Sequence, residues 1–216
     1  MYGVYKFYKL AKEKGIKPVI GLEYSFNFGN VNKSKVLLYA KNNKGFNNLL
    51  KISTSVETKG IDTLDNIKEY IEDLFLVFVF NNSILEELLI SQEYNMLNDL
   101  LNIIKSYNGF IGISNTNYPF KEGINNQIRQ YVNDLNIDIV PIHKSNYLNK
   151  EDYKIYETLR MIDGVREEVG INDFSFIDNP VSDSIIDRMV NEIDLSLYDI
   201  KPTLPKFPNT KNLKSN

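Results

Sequence analysis

The sequence predicts an α/β protein built on a mostly parallel sheet, and three observations carry that expectation. Short apolar runs of strand length recur, among them Lys35–Ala40 (KVLLYA), Leu74–Phe80 (LFLVFVF) and Phe110–Ser114 (FIGIS). Between them the apolar residues switch to the i, i+3, i+4, i+7 spacing of helices with one buried face. The two signals alternate, which is the arrangement of parallel strands joined by right-handed crossovers. Pattern alone fits an open doubly wound sheet and a barrel equally well.

Taken in order, Val4, Phe7, Tyr8 and Ala11 mark one face of a first helix, which Gly15 is placed to close. Pro18–Phe26 (PVIGLEYSF) and Lys35–Ala40 read as strands. Phe46, Leu49 and Leu50 begin a helix, and Asp62 is placed to cap another that carries Leu64, Ile67 and Ile71. Leu74–Phe80 has the composition of a strand buried on both faces. A stripe of Leu97, Leu100, Leu101 and Ile104 closes near Gly109, followed by the strand Phe110–Ser114. Ile124, Ile128, Val132 and Leu135 give the next helix, and Ile137–Ile142 the next strand. Asn149, three residues before Asp152, is a fitting cap for a helix bearing Ile155, Leu159 and Ile162. A last helix starts near Ser182, and Pro202, Pro205 and Pro208 mark an extended exit.

Composition narrows the function classes. At 216 residues the chain suffices for one large domain or two small ones. A net charge of −3 argues against a domain that holds nucleic acid by itself, because such binding draws on a surplus of Lys and Arg. With no Cys, disulfides and thiolate metal sites are excluded, which fits a reducing cytoplasm. The longest apolar run, Leu74–Phe80, is far short of the roughly 20 residues that cross a bilayer. No Gly-rich loop follows any strand, so dinucleotide or P-loop binding has no support.

Four stretches, in collinear order, carry a resemblance. Met1–Glu23 (MYGVYKFYKLAKEKGIKPVIGLE), Val36–Leu50 (VLLYAKNNKGFNNLL), Asn146–Arg160 (NYLNKEDYKIYETLR) and Leu204–Pro208 (LPKFP) resemble the N-terminal PHP domain of bacterial DNA polymerase III alpha subunits of the DnaE type. The resemblance implies a distorted parallel β/α barrel, incomplete at its N-terminus, over residues 1–200, and a linker toward the polymerase core over 201–216. It also implies a cluster of metal ligands at the C-terminal strand ends, the usual place for a barrel site. Active relatives use zinc or manganese there for phosphoester hydrolysis.

Carried over residue by residue, the family's ligands are mostly lost. Those of its His-x-His motif and Asp-His-Gly-Asn turn fall before the equivalent of Met1. The Glu after Ile-Gly is kept as Glu23, the next His position holds Lys35, and the last Asp-x-His pair falls on Lys144 and Asn146. An ammonium has no lone pair for a metal, and Asn is a poor substitute for His. His143, the only histidine, reads either as a displaced ligand or as a loop residue at a strand end. Catalytic zinc sites generally take three protein ligands, which favours the second. If Glu23, Lys35 and Lys144 converge, ammonium charge replaces metal charge. The expectation is therefore a noncatalytic scaffold with a degenerate metal site and no resident cofactor, inactive as this chain alone. The magnesium of polymerisation belongs to a palm beyond it. The implied partners are the remainder of the alpha subunit and a proofreading exonuclease subunit, with DNA reached only through the full polymerase. The alternative is a residual metal-dependent phosphoesterase or 3'-5' exonuclease.

Overall fold

The computed structural model describes residues 3–29, 31–60, 63–114, 119–164, 175–176 and 183–197. Among them lies a five-stranded sheet in the order β1-β2-β3-β4-β5, open at both edges, with helices between its strands. The strands are β1 (Gly21–Phe28), β2 (Val31–Ala40), β3 (Leu74–Val79), β4 (Phe110–Ser114) and β5 (Ile139–Ile142). The helices are α1 (Val4–Glu13), α2 (Asn43–Lys59), α3 (Ile84–Ile90), α4 (Tyr94–Ser106), α5 (Pro119–Asn133), α6 (Tyr153–Ile162) and α7 (Ser184–Glu192). The mixed α/β class expected from the sequence is thus present, as a barrel-like sheet that is not closed.

The sheet departs from the expected parallel order at its first three strands. β1 pairs antiparallel with β2, and β2 antiparallel with β3, whereas β3, β4 and β5 are parallel. Loop length accounts for the first of these reversals. Only two residues separate Phe28 from Val31, and a two-residue connection makes a hairpin, since a parallel return needs a crossover of a dozen or more. Gly29, at φ 59°, supplies the left-handed backbone of that turn. The later strands are joined by α3 with α4 and by α5, which are long enough to cross over.

Side-chain alternation divides the sheet into two faces. On one, Val36, Leu38 and Ala40 stand beside Phe78, Leu76 and Leu74, and the T-shaped pair Phe26–Phe78 lies 5.8 Å apart. These residues share a core with Leu49 and Ile52 of α2, Leu97, Leu100, Leu101 and Ile104 of α4, and Ile128 and Val132 of α5. On the other face, Tyr39, Phe75, Val77 and Val140 line an apolar cavity of about 200 Å³ with Ile186, Met189 and Ile193. After α7 the chain returns to the sheet's start. Asp194 N–H donates to Lys41 O (2.7 Å), and Tyr8 Oη donates to Leu195 O (2.9 Å).

Several local expectations need correction. Phe7 and Leu50 lie on the exposed sides of α1 and α2, because neither side chain faces the sheet. The stretch carrying Leu64 and Ile67 is a 3₁₀ helix (Asp65–Tyr70), not an α-helix, and Asp62 lies outside the described residues. α3, unforeseen, is capped by Ser83 Oγ accepting from Leu85 N–H. α7 begins at Ser184, because Asp183 Oδ1 accepts from the Ile185 and Ile186 N–H groups. The exit with Pro202, Pro205 and Pro208, and the LPKFP stretch, lie outside the described residues. No helix among the described residues is long and apolar enough to cross a membrane.

Candidate functional site

β1, β3, β4 and β5 run in the same direction, so their last residues, Phe28, Val79, Ser114 and Ile142, lie on one rim of the sheet. Glu23, expected at a strand end, is instead the third residue of β1, level with Leu37, Val77 and Phe110 and away from that rim. Glu23 faces Leu37 in the β1–β2 register, and Lys35 faces Ser25. The two are therefore diagonal neighbours on a single face, within reach of each other. Lys35 Nζ donates to Glu23 Oε1 at 2.6 Å, with both side chains nearly half exposed. The Glu23 charge also reaches inward. Burial raises the Tyr39 hydroxyl above its ordinary range, and the Glu23 carboxylate pushes it further the same way.

Lys144 does not join this pair. It lies past the end of β5, exposed, and makes no ion pair with another described residue. The expected convergence of three charges is thus a convergence of two. Once β5 ends at Ile142, nothing in the ladder directs the following side chains toward β1 at the opposite edge.

His143 and Asn146 are each tied into the loop after β5. His143 Nε2 lies 2.7 Å from Ser175 O, and a carbonyl only accepts, so Nε2 carries the proton. In the neutral imidazole the lone pair is then on Nδ1, which is buried with no hydrogen-bond partner among the described residues. Asn146 Nδ2 donates to Tyr156 Oη at 3.0 Å. The adjoining Tyr147 packs on Tyr153 and Tyr156 of α6, with ring centroids 6.4 and 5.6 Å away. Asn149, the expected cap, stands at the start of a 3₁₀ turn (Lys150–Asp152) that leads into α6, and Asp152 Oδ2 accepts from the Asn149 N–H at 3.0 Å.

The sequence reading missed a polar pair on the same rim. Asn81, 7% exposed, follows β3 and donates from Nδ2 to Asn125 Oδ1 at 2.9 Å. Its Oδ1 accepts from Ser114 N–H at 2.7 Å, tying the ends of β3 and β4 together. The available signal was the abrupt switch from the apolar run Leu74–Phe80 to two asparagines. Among the described residues, no group of three or more His, Asp or Glu is placed to share one cation.

Comparison with known proteins agrees with this architecture. The family model described as PHP domain matches residues 1–116. The chain is 28% identical over 228 residues to DNA polymerase III subunit alpha of Halalkalibacterium halodurans, covering 99% of this chain and 19% of that protein. It is 28% identical over 168 residues to the Bacillus subtilis subunit (75% and 15%), and 26% over 171 residues to the Borreliella burgdorferi subunit (70% and 15%). The chain spans less than a fifth of the length of these relatives.

Proposed function

Because this chain belongs to the PHP domain family, we propose that it is the PHP region of a replicative DNA polymerase III alpha subunit, serving as a noncatalytic scaffold. Residues 1–200 form that region and 201–216 the linker toward the polymerase core. The scaffold's partners are the remainder of the subunit and a proofreading exonuclease subunit, and DNA is met only through the whole polymerase in the cytoplasm.

The ion pair between Lys35 and Glu23 carries the noncatalytic reading. The one carboxylate kept at a family ligand position is already neutralised by an ammonium 2.6 Å away. The remaining donors do not fit a catalytic cation. A protonated lysine offers no lone pair, Asn146 is engaged by Tyr156, and His143 has only Nδ1 to give. A zinc centre would need about three protein ligands.

The Nδ1 lone pair is what favours the competing reading, a residual phosphoesterase. Metal analysis of the purified chain after exposure to zinc and manganese separates the two. The scaffold reading expects no metal retained through gel filtration. One equivalent retained, and lost on His143→Ala or Glu23→Gln, would overturn it. An immunoblot of source cells tests the polymerase reading: a product several-fold larger than 25.0 kDa is expected.

A further inference from the structure

α6 is anchored by one face and presents the other to solvent. Tyr153 and Tyr156 hold it to Tyr147, with Asn146 bonded to the Tyr156 hydroxyl, so the helix has a fixed rotation. About 100° per residue puts Ile155, Leu159 and Ile162 together on the side away from those tyrosines. All three are between 60% and 78% exposed, and no residue of α6 is buried. Three large aliphatic side chains aligned at i, i+4 and i+7 make an apolar strip, not a scatter of single surface residues.

We infer that this strip is an intramolecular docking surface for the polypeptide that follows this chain in a polymerase alpha subunit. The inference rests on the function proposed above. Two observations select that occupant. More than four-fifths of each compared relative's length lies outside the matched region, so ample further chain is there to cover it. The strip is also small. A ten-residue helix is about 15 Å long, and its apolar side falls well below the roughly 800 Å² per partner of a stable free interface. A surface of that size suits a tethered partner, for which linkage supplies an effective concentration near the millimolar range. Lys154 and Thr158 border the strip on one side with the polar rim such contacts have.

The test installs a photo-crosslinking residue at Leu159 in the subunit carrying this chain, with a second at exposed Lys9 of α1 as control. Irradiation is followed by mass spectrometric mapping of the adducts. The expected result is adducts from position 159 to sequence beyond residue 216 of the same polypeptide. They should fall at least tenfold when Ile155→Asp is added. Adducts to this chain's own residues, to a second copy, or at a yield no higher than the Lys9 control overturn the inference. The same sample separates the two levels of reading. A complete polymerase subunit with adducts elsewhere removes only the docking surface, whereas a polypeptide with no polymerase sequence removes the proposed function with it.

Discussion

α4 and α6 carry the same kind of apolar spacing and put it to opposite uses. Leu97, Leu100, Leu101 and Ile104 of α4 are wholly inaccessible, while Ile155, Leu159 and Ile162 of α6 stand in solvent. The helices differ in what precedes and follows them. α4 belongs to the crossover between the parallel strands β3 and β4, and such a crossover must lie against the sheet it spans. α6 follows β5, an edge strand of the described sheet, and is seated by aromatic contacts with Tyr147. An amphipathic pattern therefore states that a helix has a face to cover. Whether that face is covered depends on where the topology puts the helix.

The comparison breaks most readily at α4. Leu100→Ala should cost about 2–5 kcal/mol, because it removes buried methyl groups and leaves a cavity in a close-packed core. Urea denaturation reads this as a lower midpoint at unchanged slope, and a loss below about 1 kcal/mol would mean the helix is not packed as described.

A smaller loss is expected at the start of α2, between the two extremes. Asn42 Oδ1 accepts from the Lys44 and Gly45 N–H groups, and its Nδ2 donates to Asp73 at 2.8 Å. Asn42→Ala should cost about 1 kcal/mol by loss of the cap. It also carries a pH signature. The Asn42 hydrogen bond first, and the Lys44 ammonium after it, hold the Asp73 carboxyl below its ordinary value, against the opposing effect of burial. A depressed carboxylate contributes stability that is present above its unfolded pKa and lost as pH falls through its folded one. The stability gap between wild type and Asn42→Ala should accordingly narrow on acidification below the ordinary Asp range. A gap that stays constant with pH would detach Asp73 from the cap.

The smallest effects belong to the exposed groups. Leu159→Ala should alter the stability of this chain alone by no more than about 0.5 kcal/mol, as for surface positions generally. A loss as large as that of Leu100→Ala would erase the contrast between the helices. Lys35→Ala should likewise cost well under 1 kcal/mol, since an ion pair whose partners are both nearly half exposed is screened by water. Chemical denaturation of the variant in low and high salt checks this, and a salt-insensitive loss above that range would show a buried role for the pair.

How much of this was legible in advance differs along the chain. β3, β4 and α4 were plain because their apolar residues are continuous or periodic, and the fold buries most of them. The hairpin of β1 and β2 was obscured because its second strand opens with the polar run Asn32–Lys35, which period-two reading does not pick out. α3 was missed because its seven residues hold almost no polar face to set a period. At the candidate site, Glu23 and Lys35 were legible only through the family's ligand positions, and the hairpin register that brings them to one face was not. Asn81 was not, because its role depends on Ser114 and Asn125, remote in sequence and brought close by parallel pairing.

By itself the sequence determined the α/β class, the helix caps at Asn149 and the general place of the ammonium beside Glu23. These follow from local spacing, residue chemistry and collinear resemblance, which act within a few residues or along the chain. Only the tertiary structure decided that β2 runs against its neighbours, that Lys144 stays apart from Glu23, and that the aliphatic face of α6 looks outward. Those outcomes depend on which elements become neighbours in space, and burial is a property of neighbours, not of a segment taken alone.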